Sequence, residues 1–134
     1  MLGAIIEGKD CVDTLISLML LIIGIIHLMP VTGALGNQQL AKLYGINFSE
    51  PNLSILMRHR AVLFGLLGSF MGFAAFNPPY RTLAFVAATV SILSFLWLAR
   101  SVGSYNNELS RVYKADIVAL ICLIVGGAAH VLAS

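Results

Sequence analysis

The polar residues of this chain sit in short groups, with long apolar runs between them. Thr14 to Gly36 is 23 residues without a charge, a transmembrane length. Thr82 to Ala99 is 18 such residues, Ala61 to Phe76 is 16, and Ile117 to Ala133 is 17. A run of that shorter length spans only about 24 Å at 1.5 Å rise, against a hydrocarbon core about 30 Å thick. The two shorter runs must therefore recruit residues ahead of them. The pattern predicts helices over about 14–36, 52–76, 82–100 and 111–133. That is an all-α, four-helix transmembrane bundle forming a single domain over 1–134.

The connections carry their own signals. "LAKLYGI" places Leu40, Leu43 and Tyr44 on one face, as in a short interfacial helix between the first and second long helices. "SEPN" is a capping start for the second long helix. "NPPYR" over 77–81 is a tight breaker, and "SVGSYNN" over 101–107 joins the last pair. Pro30 is expected to disturb the end of the first helix.

Composition agrees with a bilayer as solvent. The chain is 59% hydrophobic and 10% charged, whereas soluble domains carry about 25% charged residues. A net charge of +2 spread thinly over 134 residues gives no footing for nucleic acid. Cys11 and Cys122 make no disulfide framework and read as small apolar side chains. Glu7, Asp10 and Asp13 precede the first apolar run, the reverse of a cleavable signal peptide.

Lys and Arg counts orient such a bundle. Both longer connections share one side with Lys42, Arg58, Arg60, Arg100, Arg111 and Lys114, six charges; the other side has Lys9 and Arg81, two. The six-charge side is expected to be cytoplasmic in a bacterial inner membrane, with both termini on the outer face.

The helical period then sorts the charges by face. Asp13, Ser17, Leu20, Gly24 and His27 form one small or polar stripe on the first long helix. On the second, Arg58 shares a face with Ala61, Gly65, Gly68 and Gly72, a stripe that admits a close neighbour. Arg60 falls with Phe64, Leu67 and Met71, which predicts a lipid-facing side chain snorkelling to the headgroups. The third offers Ala84, Ala87, Ala88, Ser91 and Ser94, with Arg100 and Trp97 as interfacial anchors. The fourth offers Asp116, Ala119, Leu123, Gly126, Gly127 and His130. Gly24, Gly65, Gly68, Gly72, Gly126 and Gly127 are the expected helix-packing positions.

His27, Arg58, Ser94 and Asp116 all fall about 8 to 9 Å inside the six-charge boundary, from a rise of about 1.5 Å per residue. A lone arginine at depth costs a few kcal/mol, and Asp116 is the acid available to offset it. The expected site is therefore a polar layer in which Arg58 pairs with Asp116, with His27, His59 and Ser94 beside them. Such a layer serves either a ligand or packing and register alone.

Signatures of familiar chemistry are missing. No glycine-rich phosphate loop, HExxH pair, GxSxG elbow or CxxC pair occurs. His130 with Glu7, Asp10 and Asp13 matches no metal-ligand spacing. No catalytic residue, metal or cofactor is assigned on these grounds.

The run "IGIIHLMP…LAKLYGI", followed by "RHRAVLFGLLGSF", resembles the DoxX-like group of small four-helix bacterial membrane proteins. The resemblance rests on Gly24 near the end of the first long helix, on a proline followed by Leu43 to Gly45, and on Arg58 ahead of a glycine-rich helix. It implies an accessory or quinone-linked role, with quinone as the cofactor to consider. The cysteine pairs of redox members are absent.

Three functions fit these residues. The first is a non-enzymatic module that binds a lipid, a quinone or a partner protein at the cytoplasmic-side polar layer. The second is a membrane oxidoreductase subunit or accessory using Arg58, Asp116 and His27. The third is a small-solute transporter, which in so thin a bundle requires an oligomer; the partners to consider are the lipid bilayer, a second copy of the chain (a homo-oligomer) or a membrane complex.

Overall fold

A computed structural model describes all 134 residues, and the chain is all-α. Helix α1 runs Leu2–Leu28 and continues as a 3-10 segment over Met29–Leu35. Helix α2 is Asn37–Tyr44, α3 is Pro51–Ala75, α4 is Arg81–Val102 and α5 is Asn107–Ala133. The four long helices are each apolar and long enough to cross a membrane, and α2 is the expected short helix between the first two spans.

Local chemistry sets the boundaries. Glu50 caps α3 by accepting from the Asn52 and Leu53 N–H groups at 3.0 and 2.6 Å, with Pro51 as the first helical residue. Asn106 caps α5 through the Leu109 N–H at 2.9 Å, so that helix starts at Asn107, earlier than position 111. Gly45 and Gly103, at φ 66° and 77°, end α2 and α4 in the left-handed conformation. Helix α1 begins at Leu2, well before the expected Thr14. Glu7, Lys9, Asp10 and Asp13 oppose insertion into lipid, but they do not oppose helix formation, and no proline precedes Thr14. Pro30 stands at the start of the 3-10 segment, where its missing N–H ends the α-helical ladder.

The long helices go up and down in order around the bundle. Helix α1 packs on α3 and α5, α4 packs on α5, and α3 and α4 are the loosest neighbouring pair. The closest approach is between α1 and α3. A methyl group on Gly24 would lie 2.9 Å from the Gly68 carbonyl oxygen, and one on Gly68 only 2.7 Å from that of Gly24. Gly126 is similarly tight, with a methyl there 2.7 Å from Met19 Cβ. Gly65 meets Val31 of the 3-10 segment, whereas Gly72 has open space and Gly127 meets only Phe85.

Ile16, Leu20 and Ile23 of α1 form the core with Met71, Ala74, Ala84, Ala88, Ile92, Ala119 and Leu123. A smaller cluster of Leu40, Tyr44 and Phe48 closes the end where α3 and α5 begin. The outside is apolar too: Leu18, Ile25, Leu63, Leu66, Val86, Val90, Ile121 and Ile124 are all exposed. A soluble monomer does not present so continuous an apolar coat to water. Trp97 also stands on the outer surface, 70% exposed.

Met71 corrects one expectation. It was assigned to the lipid face and is fully buried. The inward arc of α3 is wider than its small-residue stripe, because α1 packs on the glycines while the adjoining face turns to the bundle centre. The outward face is instead Leu56, Val62, Leu63, Leu66 and Phe73.

Candidate functional site

The charged residues of α3 point opposite to the helical-face expectation. Arg58 is exposed, and its Nε donates to the Ala34 carbonyl at 3.0 Å. Arg60 is half-buried and lines a cavity of about 220 Å³ together with Asp116. The reason lies in the 3-10 segment. It runs on past α1 and covers the glycine stripe only as far as Ala61 and Gly65. One turn earlier, Arg58 lies beyond that cover and caps a carbonyl at the segment's end.

The cavity walls come from every part of the six-charge end. His27 comes from the last turn of α1, Tyr44 and Lys42 from α2, Arg60 and Phe64 from α3, Phe95 from α4, and Glu108, Arg111 and Asp116 from α5. The Arg60 guanidinium lies over the rings of Phe64, Tyr44 and Phe95, with Cζ 5.0, 5.8 and 5.9 Å from their centroids. These are cation–π distances. No hydrogen bond or ion pair within the chain engages Arg60 or Asp116, since the molecule's single ion pair is Arg81–Asp13. Burial pushes the Tyr44 phenol above its ordinary range, with the Arg60 charge working against that shift.

His27 forms the floor and is 3% exposed. Its Nδ1 is 2.9 Å from the Ile23 carbonyl, which can only accept, so Nδ1 carries the proton. With the ring neutral, the Ser91 hydroxyl donates to Nε2 at 3.0 Å. Ser91 is the α4 partner that was expected in Ser94. Ser94 is exposed and turns its hydroxyl back to the Ser91 carbonyl at 3.0 Å. His59 is exposed and lies away from the cavity, as do Arg100 and Trp97.

A second cavity, of about 460 Å³, shares Arg60, Phe64 and Phe95 with the first. Its remaining wall includes Ser91, Ser94, Leu98 and Val102 of α4, with Ser104 and Tyr105 just before α5 and Leu109 at its start, so it follows the loose α3–α4 seam out to the six-charge end.

A separate polar cluster closes the opposite end. Arg81 is 4% exposed and forms an ion pair with Asp13. Its Nη2 donates to Ser17 Oγ at 2.7 Å and to the Ala75 carbonyl at 2.9 Å, and Ser17 donates to that same carbonyl at 2.7 Å. Thr82 and His130 are joined at 2.8 Å nearby. The sequence pattern had treated Arg81 as a turn charge.

Of the expected layer, His27 and Asp116 are brought together, and Arg58, His59 and Ser94 are not. Arg60, Tyr44, Phe64, Ser91 and Phe95 were missed as wall residues. One sign was available for two of them: Arg60 and Phe64 are four residues apart on one helical face, a cation beside an aromatic ring. Comparisons with protein-family models, with curated proteins and with solved structures give no match for this chain.

Proposed function

We propose that this small integral membrane protein is a non-enzymatic module that binds the polar head of a membrane amphiphile, a lipid or a quinone, around Arg60 and Asp116. One observation carries the reading. A cation and an acid, each drawn partly out of solvent, line the same cavity, and neither has a hydrogen-bond partner in the chain. Ionisable groups within a membrane-crossing bundle are costly unless paired, and a bound head supplies the missing partners. The aromatic walls of Phe64, Phe95 and Tyr44 suit the apolar part of such a molecule.

The DoxX-like resemblance of the sequence belongs to the same proposal, as does a place in the bacterial inner membrane with the cavity end toward the cytoplasm. Its support is the helix order, with a short helix between the first two spans, and the excess of Lys and Arg at that end.

Native mass spectrometry from gentle detergent tests the reading. The wild-type protein should carry a bound small molecule that Arg60→Ala loses and Arg58→Ala keeps. An absent adduct, or one indifferent to Arg60→Ala, overturns it.

A further inference from the structure

The two cavities meet at Arg60, Phe64 and Phe95, and their walls differ in kind. The smaller carries charges of both signs: Arg60, Arg111 and Lys42 against Asp116 and Glu108. The larger runs along the α3–α4 seam from Ser91 and Ser94 out past Leu98 to Val102, Ser104 and Tyr105 at the six-charge end, with Arg60 as its one charge. A purely anionic head in the smaller cavity would meet Asp116 and Glu108, and a purely cationic one would meet Arg60 and Arg111. A head with both signs satisfies both sets. Arg60 is held by aromatic faces that stabilise its charge yet accept none of its N–H groups, so its donors remain available to a phosphate. Asp116 accepts nothing from the chain and suits a primary ammonium, which brings N–H donors where a trimethylammonium brings none.

We propose that the ligand is a zwitterionic phospholipid with a primary amine: phosphate against Arg60, ammonium against Asp116, and one chain in the seam between α3 and α4. This rests on the amphiphile-binding reading and names its ligand class. The seam suits the chain because α3 and α4 are the least closely packed neighbours and the exposed apolar Leu98 stands on the larger cavity's wall.

The experiment reconstitutes the protein in vesicles of equal parts phosphatidylethanolamine, phosphatidylcholine and phosphatidylglycerol, then reads retained lipid by native mass spectrometry. Phosphatidylethanolamine should be retained over each of the others by about tenfold, the effect of one charge-assisted hydrogen bond. Asp116→Asn should still retain lipid but lose that preference. Ser94→Trp, which fills the seam level with Arg60, should lower retention without lowering the melting temperature. Three outcomes overturn the proposal while leaving an amphiphile site: equal retention of phosphatidylcholine or phosphatidylglycerol, an unchanged preference in Asp116→Asn, or a quinone carried in from the native membrane as the retained species. Retention of neither lipid nor quinone, or of the same species by Arg60→Ala, overturns both readings.

Discussion

Two arginines near the start of α3, two positions apart, show what a helical-wheel argument can and cannot resolve. The wheel placed Arg58 and Arg60 on different faces, and they are on different faces. It assigned the wrong one inward, because the 3-10 segment that covers this face ends short of Arg58, at a point a periodicity argument could not locate. Arg58→Ala therefore removes one exposed hydrogen bond to Ala34 and should cost no more than about 1 kcal/mol, read as a small change in melting temperature in detergent. Arg81 is the opposite case. Its signal was present, since Asp13 and Ser17 already shared the inward stripe of α1 and Arg81 opens α4 at the same end. It was passed over because a charge beside two prolines reads as a turn. Asp13→Ala leaves the Arg81 guanidinium buried with only Ser17 and the Ala75 carbonyl, and should cost about 1–3 kcal/mol. Replacing both, Asp13→Leu with Arg81→Leu, should recover much of that loss, because no uncompensated charge remains. A double variant that melts no higher than Asp13→Ala would show that the cluster does more than neutralise one charge.

At the level of helices, the small stripes were legible, because shape alone dictates where two backbones can meet. Gly24 and Gly68 hold α1 and α3 together, and an added methyl at either would meet a carbonyl oxygen of the other helix. Gly24→Ala and Gly68→Ala should each cost about 1–3 kcal/mol through overpacking. Gly72→Ala, with open space around it, should stay within about 1 kcal/mol of the parent or gain slightly from helix propensity. Ranking the three by thermal unfolding in detergent checks the assignment. The start of α3 has its own pH signature. The Leu53 and Asn52 N–H groups hold the Glu50 carboxyl below the usual carboxylate range. A depressed folded value means the stabilisation is fully present above the unfolded value and is lost as pH falls through the lower folded one. Glu50→Gln should thus melt lower than the parent at neutral pH, with the gap closing in acid. The cap could be read from "SEPN", whereas the early start of α1 could not, since hydropathy reports membrane preference and not helix limits.

The whole molecule is an up-and-down bundle with four spans, so its two ends lie on the same side of the membrane. From the distribution of Lys and Arg we predict that this side is the outer one. An alkaline-phosphatase fusion at Ser134 should be active, and an inactive fusion beside a fluorescent cytoplasmic reporter would invert the orientation. The bundle itself was legible because four long apolar runs leave few alternatives. The cavity was not, because it is assembled from five helices at places no single helix reveals. Trp97 gives the molecule an optical property. It is the sole indole of the chain, it stands on the outer surface of α4, and its neighbour Leu98 lines the seam cavity. Its emission is thus an unlabelled depth gauge: quenching by lipids brominated at successive chain positions would report how far that surface sits below the phosphates.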